Sequence, residues 1–379
     1  MEKHIRLYDR SRVTCDWVCK RKRYYNYEYN QRGIVPSHTG LELFMGSCLH
    51  DALAAIAIQH QAGSVDIDLI ASTARKAMFE SLSESKGDNE YEVLTFANEQ
   101  AALVEGLLRG FHKHVWPRLM AQYPTIIAVE KEMTYAHDNL TFMARPDLVV
   151  GDAEGNNYYV EYKSTSSKRE EWINSWGTAV QLHSTIRAIE STLEISMTGV
   201  IIQGLYKGYQ SYNKQNSPFC YAYKRNGNPP FTKDEISYEY KAGFKRYPTW
   251  ELPGGVKAWV DGMSPEVLAD QFPQTPPIFL KQDMIDRFFA QRAIRETEIG
   301  MAHQMLAACK HDEDKQIILD GSFEQNFEAC SPAWGRACQY RQICHGHVVD
   351  PLASGFQYRE SHHDLEAKQH AEQELSSGS

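Results

Sequence analysis

Apolar residues between positions 40 and 120 recur at helical spacing, with Ala52, Leu53 and Ile56 on one stripe and Leu103, Leu107, Leu108 and Phe111 on another. Positions three and four apart share a helix face, so this stretch predicts a helical layer with one buried side. After residue 124 the period shortens to two. Strands are expected from Ile126 to Tyr135, from Arg145 to Val150 and from Tyr158 to Lys163. Residues 151–157 between the last two are rich in turn formers and predict a hairpin. Helical spacing returns over 170–191, a strand over 196–206, and a long amphipathic helix over 281–309. Residues 252–255 and 273–277 read as connecting loops. This order predicts an α/β protein with an α/β/α core.

Strand alternation decides what the hairpin can do. Glu161 and Lys163 project together while Tyr162 points the other way, and the turn brings Asp147 across from Glu161. Two carboxylates converging on one point repel each other unless a hard cation lies between them, and Mg²⁺ or Mn²⁺ accepts such oxygens. A bound cation acidifies its water and stabilises charge on a phosphoryl oxygen, while an ammonium such as Lys163 can orient the attacking water. The competing reading is a solvated hairpin with an incidental ion pair. Glu130, on the first expected strand, is either a further acid at this site or a surface residue.

Pro146-Asp147, thirteen further residues and then Glu161-Tyr162-Lys163 resemble the PD-(D/E)xK nuclease superfamily, where Pro-Asp ends one strand and Glu-x-Lys lies on the next. Upstream, Gly46-Ser47-Cys48-Leu49-His50-Asp51-Ala52-Leu53 resembles the first motif of its RecB-like branch, in which a helical histidine adds a metal ligand. Downstream, Gln181-Leu182-His183-Ser184-Thr185 resembles the Gln-hydrophobic-x-x-Tyr motif, with Thr185 in place of tyrosine. Tyr206-Lys207 is a candidate to compensate. The resemblance implies a restriction-endonuclease-like core with a helical N-terminal layer. It also implies His50, Asp147 and Glu161 as metal ligands, the Tyr162 carbonyl as a further one, Lys163 activating water and Gln181 supporting the site.

Cysteine usage extends the resemblance. Eight cysteines in 379 residues are too few for a disulfide scaffold, and no apolar signal segment opens the chain, so reduced thiols and a cytoplasmic location are expected. Cys330, Cys338 and Cys344 cluster at one end, and Cys19 precedes the run Lys20-Arg21-Lys22-Arg23 at the other. This layout resembles the [4Fe-4S] staple of AddB-type and CRISPR-associated RecB-like nucleases, which implies a structural cluster on these four thiolates. Closing so long a loop would stabilise the fold by about 4 to 5 kcal/mol in the loop-closure model. The C-x7-C-x5-C spacing is looser than the commonest form. Cys15 is a rival to Cys19, and a four-cysteine zinc site would use the same residues.

Composition adds bounds. With 42% hydrophobic residues the chain is globular, and no apolar run is long enough to span a membrane. The net charge of −9 is unevenly spread, since residues 1–33 hold nine Lys or Arg against four Asp or Glu. Lys20, Arg21, Lys22 and Arg23 are therefore candidate phosphate contacts. Aromatic and basic residues alternate over 209–250, as in a single-strand track or in the core of an insertion. The expected organisation is a basic segment (1–40), a nuclease core (41–208), an insertion (209–280), a helix with the cysteine cluster (281–353) and a disordered tail (354–379). The family-level expectation is an exonuclease acting on DNA with free or single-stranded ends, in recombination, repair or phage DNA processing, with a helicase or recombination protein as candidate partner. The rivals are a non-catalytic nucleic-acid-binding protein and a zinc-stabilised interaction protein.

Overall fold

The computed structural model describes residues 6–37, 41–83, 90–137, 140–167, 169–176, 181–207, 222–223, 246–247, 255–279, 281–330, 337–348, 350–361, 363 and 366–368. Its strands are β1 (Arg6–Asp9), β2 (Ile34–Pro36), β3 (Thr125–Val129), β4 (Met133–His137), β5 (Leu140–Ala144), β6 (Leu148–Gly151), β7 (Asn157–Thr165) and β8 (Met197–Tyr206). The helices around them are α1 (Arg10–Val18), α2 (Lys20–Arg23), α3 (Leu41–Gln61), α4 (Ile67–Ser83), α5 (Glu90–Gly110), α6 (Trp116–Gln122), α7 (Arg169–Asn174) and α8 (Gln181–Leu193). The long helix Gln282–Ala308 follows.

The central sheet has the order β3-β6-β7-β8, antiparallel except for the parallel pair β7 and β8. Parallel neighbours need a crossover, which α7 and α8 supply. Alternation along the strands feeds two cores. Leu148, Val150, Val160 and Tyr162 face the layer of α3 to α6, while Val149, Tyr159, Val200 and Ile202 face α8 and the long helix. On α3 the buried positions Met45, Cys48, Leu49, Ala52, Leu53, Ile56 and Ala57 form one stripe, which is the helical face expected from the sequence. The α/β/α core is present.

Three expectations are corrected. The strand expected from Ile126 to Tyr135 is two strands in different sheets, because β3 pairs with β6 whereas β4 joins β5 and β1. Glu130 stands at the break with φ of 44°, left-handed backbone that ends a strand. The helix expected over 170–191 is two helices, α7 and α8, and residues 177–180 lie outside the described residues. The tail is ordered beyond Ser354. Phe356–Tyr358 pairs antiparallel with β2, and Arg359, His363 and Glu366 are buried, so backbone pairing and buried ion pairs offset the entropy of ordering it. Residues 369–379 lie outside the description.

Of the aromatic and basic stretch 209–250, the structure describes Ala222–Tyr223, paired with Arg246–Tyr247. Among the described residues no helix is long and apolar enough to cross a membrane.

Candidate metal centre

Asp147 stands one residue ahead of β6, and the register pairing Leu148 with Val160 sets it opposite Glu161. Pro146 has no N–H to offer a ladder there. The Asp147 side chain takes over instead, its Oδ2 accepting the Tyr162 N–H at 2.6 Å. Its Oδ1 lies 3.0 Å from His50 Nδ1. Buried Leu49 anchors that part of α3 in the core, and the adjacent His50 leans over the sheet end.

Glu130 completes the group. Its left-handed backbone turns the chain off β3, and its N–H donates to the Asp147 carbonyl at 3.3 Å. One ligand atom from each of His50, Glu130 and Asp147 falls within 4.8 Å of the others. Glu161 is 2% exposed, and its Oε1 accepts from both Lys163 and Arg10. Arg10, His50, Glu130, Asp147, Glu161 and Lys163 line one cavity of about 570 Å³. Imidazole and carboxylate donors converging in an open cavity suit a hard divalent cation.

Electrostatics reinforce that fit. Burial opposes ionisation of Asp147, but the charges of His50 and Lys163 and the hydrogen bonds from His50 and the Tyr162 N–H overcome it and hold its carboxyl low. Burial raises the Glu130 carboxyl to about 8, helped by the Asp147 charge and a hydrogen bond to that carboxylate. One proton therefore sits between two crowded acids, where a cation would replace it. Burial disfavours charge on His50, yet Asp147 raises its pKa on balance.

Gln181 is the first residue of α8, and its side chain lies outside the described residues. Thr185, one turn on, is buried and lines the cavity, as does Lys207. Arg10 carried no sequence signal for this role, since its contact with Glu161 spans 151 positions. The only local hint was Asp9, whose side chain caps α1 by accepting the Arg12 N–H.

The basic run after Cys19 does not form the expected phosphate-contacting face at Arg21 and Arg23, which are 2% and 1% exposed. Arg21 donates to the Phe323 carbonyl and to Asp320, and Arg23 clasps both oxygens of Glu296 at 2.7 and 2.8 Å. Lys20 pairs with Glu324 at 3.1 Å. Lys22 is half-buried. Arg21 and Arg23 are used internally because acids of the long helix and the segment after it meet them.

The cysteine expected to start the staple reaches the C-terminal region. Cys19 Sγ accepts the Asn326 N–H at 3.4 Å, Cys330 Sγ meets the Asn326 carbonyl at 3.5 Å, and the Cys338 N–H donates to the Cys330 carbonyl at 3.0 Å. Burial raises the Cys330 thiol, and Cys338 and Cys19 add to the rise. Burial likewise raises Cys344 to about 11, with further contributions from Cys338 and Cys330. Among the described residues no three of these sulfurs lie within 4.8 Å of one another.

No curated protein matches the chain. A family model described as the PD-(D/E)XK nuclease superfamily matches residues 11–345. That match takes in α1 from its second residue, the histidine helix, the Asp147 to Lys163 hairpin and the three C-terminal cysteines, so the chain belongs to the PD-(D/E)XK nuclease superfamily.

Proposed function

We propose that this protein is a Mg²⁺- or Mn²⁺-dependent deoxyribonuclease of the RecB-like type, an exonuclease acting at free or single-stranded DNA ends in recombination, repair or phage DNA processing. The observation that carries the reading is the convergence of His50, Glu130 and Asp147 at the sheet end that also bears Glu161 and Lys163. His50, Asp147 and Glu161 hold the cation, with Glu130 as a further acid and the Tyr162 carbonyl within the same strand end.

The cation supplies Lewis acidity toward a phosphoryl oxygen and eases ionisation of water. Asp147 is fixed for this task, because the Tyr162 N–H and His50 tie down its two oxygens. Lys163 shares a strand face with Glu161, so its ammonium lies where it can orient water and meet developing negative charge. Gln181, at the head of α8, supports the site beside Thr185.

We propose further that Cys19, Cys330, Cys338 and Cys344 hold a structural [4Fe-4S] cluster. The placement of Cys19 against Asn326, four residues ahead of Cys330, favours it over Cys15.

End-labelled single- and double-stranded DNA incubated with the protein and Mg²⁺ or Mn²⁺ tests the activity. Cleavage is expected from labelled ends, and Lys163→Ala should abolish it while leaving DNA binding intact. Retained binding with no cleavage by the unaltered protein would instead indicate a non-catalytic binder.

A further inference from the structure

Arg10 is placed where a nuclease would engage its substrate. Its side chain is 27% exposed and lines the cavity beside His50, Asp147 and Lys163. It engages Glu161 through Nη1 and meets the same carboxylate oxygen as Lys163. A guanidinium presents five N–H donors in a planar fork that matches phosphate oxygens. One contact to one carboxylate oxygen does not exhaust that fork.

Charge balance gives the residue a task. With a divalent cation bound and Glu130, Asp147 and Glu161 all ionised, the cation and Lys163 leave the centre with no net charge. Arg145, Lys207 and Arg359 line the cavity against Asp9 and Asp51, and Arg10 adds positive charge directly beside Glu161, the sign that suits a phosphodiester and the charge that grows during its hydrolysis.

The backbone beneath Arg10 is held firmly. β1 runs parallel to β5 with Asp9 opposite Met143, and Arg10 is the first residue of α1. Asp9 is 4% exposed, accepts the Arg12 N–H at 2.8 Å and lies 3.7 Å from His363 Nε2. The C-terminal segment completes the brace. Glu366 accepts from Arg12, lies 3.5 Å from Arg359 and bonds Ser361 at 2.6 Å.

We propose that Arg10 is a catalytic residue that holds the Glu161 carboxylate in the resting site and turns to the non-bridging oxygens of the scissile phosphodiester when substrate and cation are bound. This rests on the metal-dependent nuclease reading above. Glu161 is among the residues that would hold the cation, and the guanidinium would then be left to take the anionic phosphodiester as its partner.

The full chain carrying Arg10→Ala or Arg10→Lys provides the test, with Asp147→Asn as a reference. Single-turnover cleavage of end-labelled DNA should fall by about 100-fold in Arg10→Ala. Arg10→Lys should recover part of the loss, since it restores the charge without the fork. Calorimetry with Mn²⁺ alone should show affinity unchanged or raised in Arg10→Ala, because a competitor for Glu161 is gone. Cleavage by Arg10→Ala within twofold of the unaltered protein, or loss of its Mn²⁺ binding, would overturn the proposal. An unaltered protein that cuts no better than Asp147→Asn would instead overturn the nuclease reading, and this proposal with it.

Discussion

Asp147 ties three parts of the candidate site together through one side chain. It closes a strand end through the Tyr162 N–H, lies against His50 and adds to the burial that raises the Glu130 carboxyl. Asp147→Asn keeps the shape and removes the charge, so end-labelled DNA should be cut on the order of 10³-fold more slowly. The raised Glu130 carboxyl sets a pH dependence. Below about 8 it holds a proton that a cation must expel, and above that value it is an open ligand. Mn²⁺ affinity measured by calorimetry should therefore rise with pH through that range, and Glu130→Gln should flatten the slope. Asp147, Glu161, Lys163 and His50 were legible in the sequence because a period of two and the order of motifs suffice to group them. Glu130 was legible only as one of two alternatives, a further acid or a surface residue, and its left-handed backbone turns it to the site. Arg10 was not, because it joins Glu161 only through tertiary folding.

Elements, in turn, were legible wherever one periodic face meets one core. The α3 stripe and the alternation across β6 and β7 gave both their types and their inward sides. The strand running through Glu130 was misread because propensity does not tell which sheet a residue joins. The tail was misread because Glu, His, Gln and Ser look disordered until buried arginines pair with them. Glu366 is 2% exposed between Arg12 and Arg359. Glu366→Gln would leave those cations underpaired, and urea unfolding should show a loss of about 3 kcal/mol. β8 offers a steric test. A Cβ on Gly204 would stand 2.7 Å from Pro273 Cγ, 2.8 Å from Trp172 and 2.9 Å from the Pro273 carbonyl. With backbone among those neighbours, Gly204→Ala should lower stability by about 1 to 3 kcal/mol.

At the scale of the molecule, several N-terminal charges are interior architecture. Arg23 with Glu296, and Asp16 with Arg292 and Arg295, tie the first helices to the long C-terminal helix. Composition shows the charge but not its partners, which explains why this run resembled a DNA-binding patch. The cluster proposed on the four cysteines has a spectroscopic test. Anaerobically purified protein should be brown, with broad visible absorption that Cys19→Ala removes and Cys15→Ala preserves. A colourless protein containing zinc would refute the iron-sulfur assignment.

The β2 pairing with Phe356–Tyr358 and the locking of Arg12 by Glu366 also have a temporal meaning. The wall behind Arg10 draws on residues more than 340 positions downstream, so it can form only after a ribosome has passed Glu366. Until then the hairpin from Asp147 to Lys163 stands without that support.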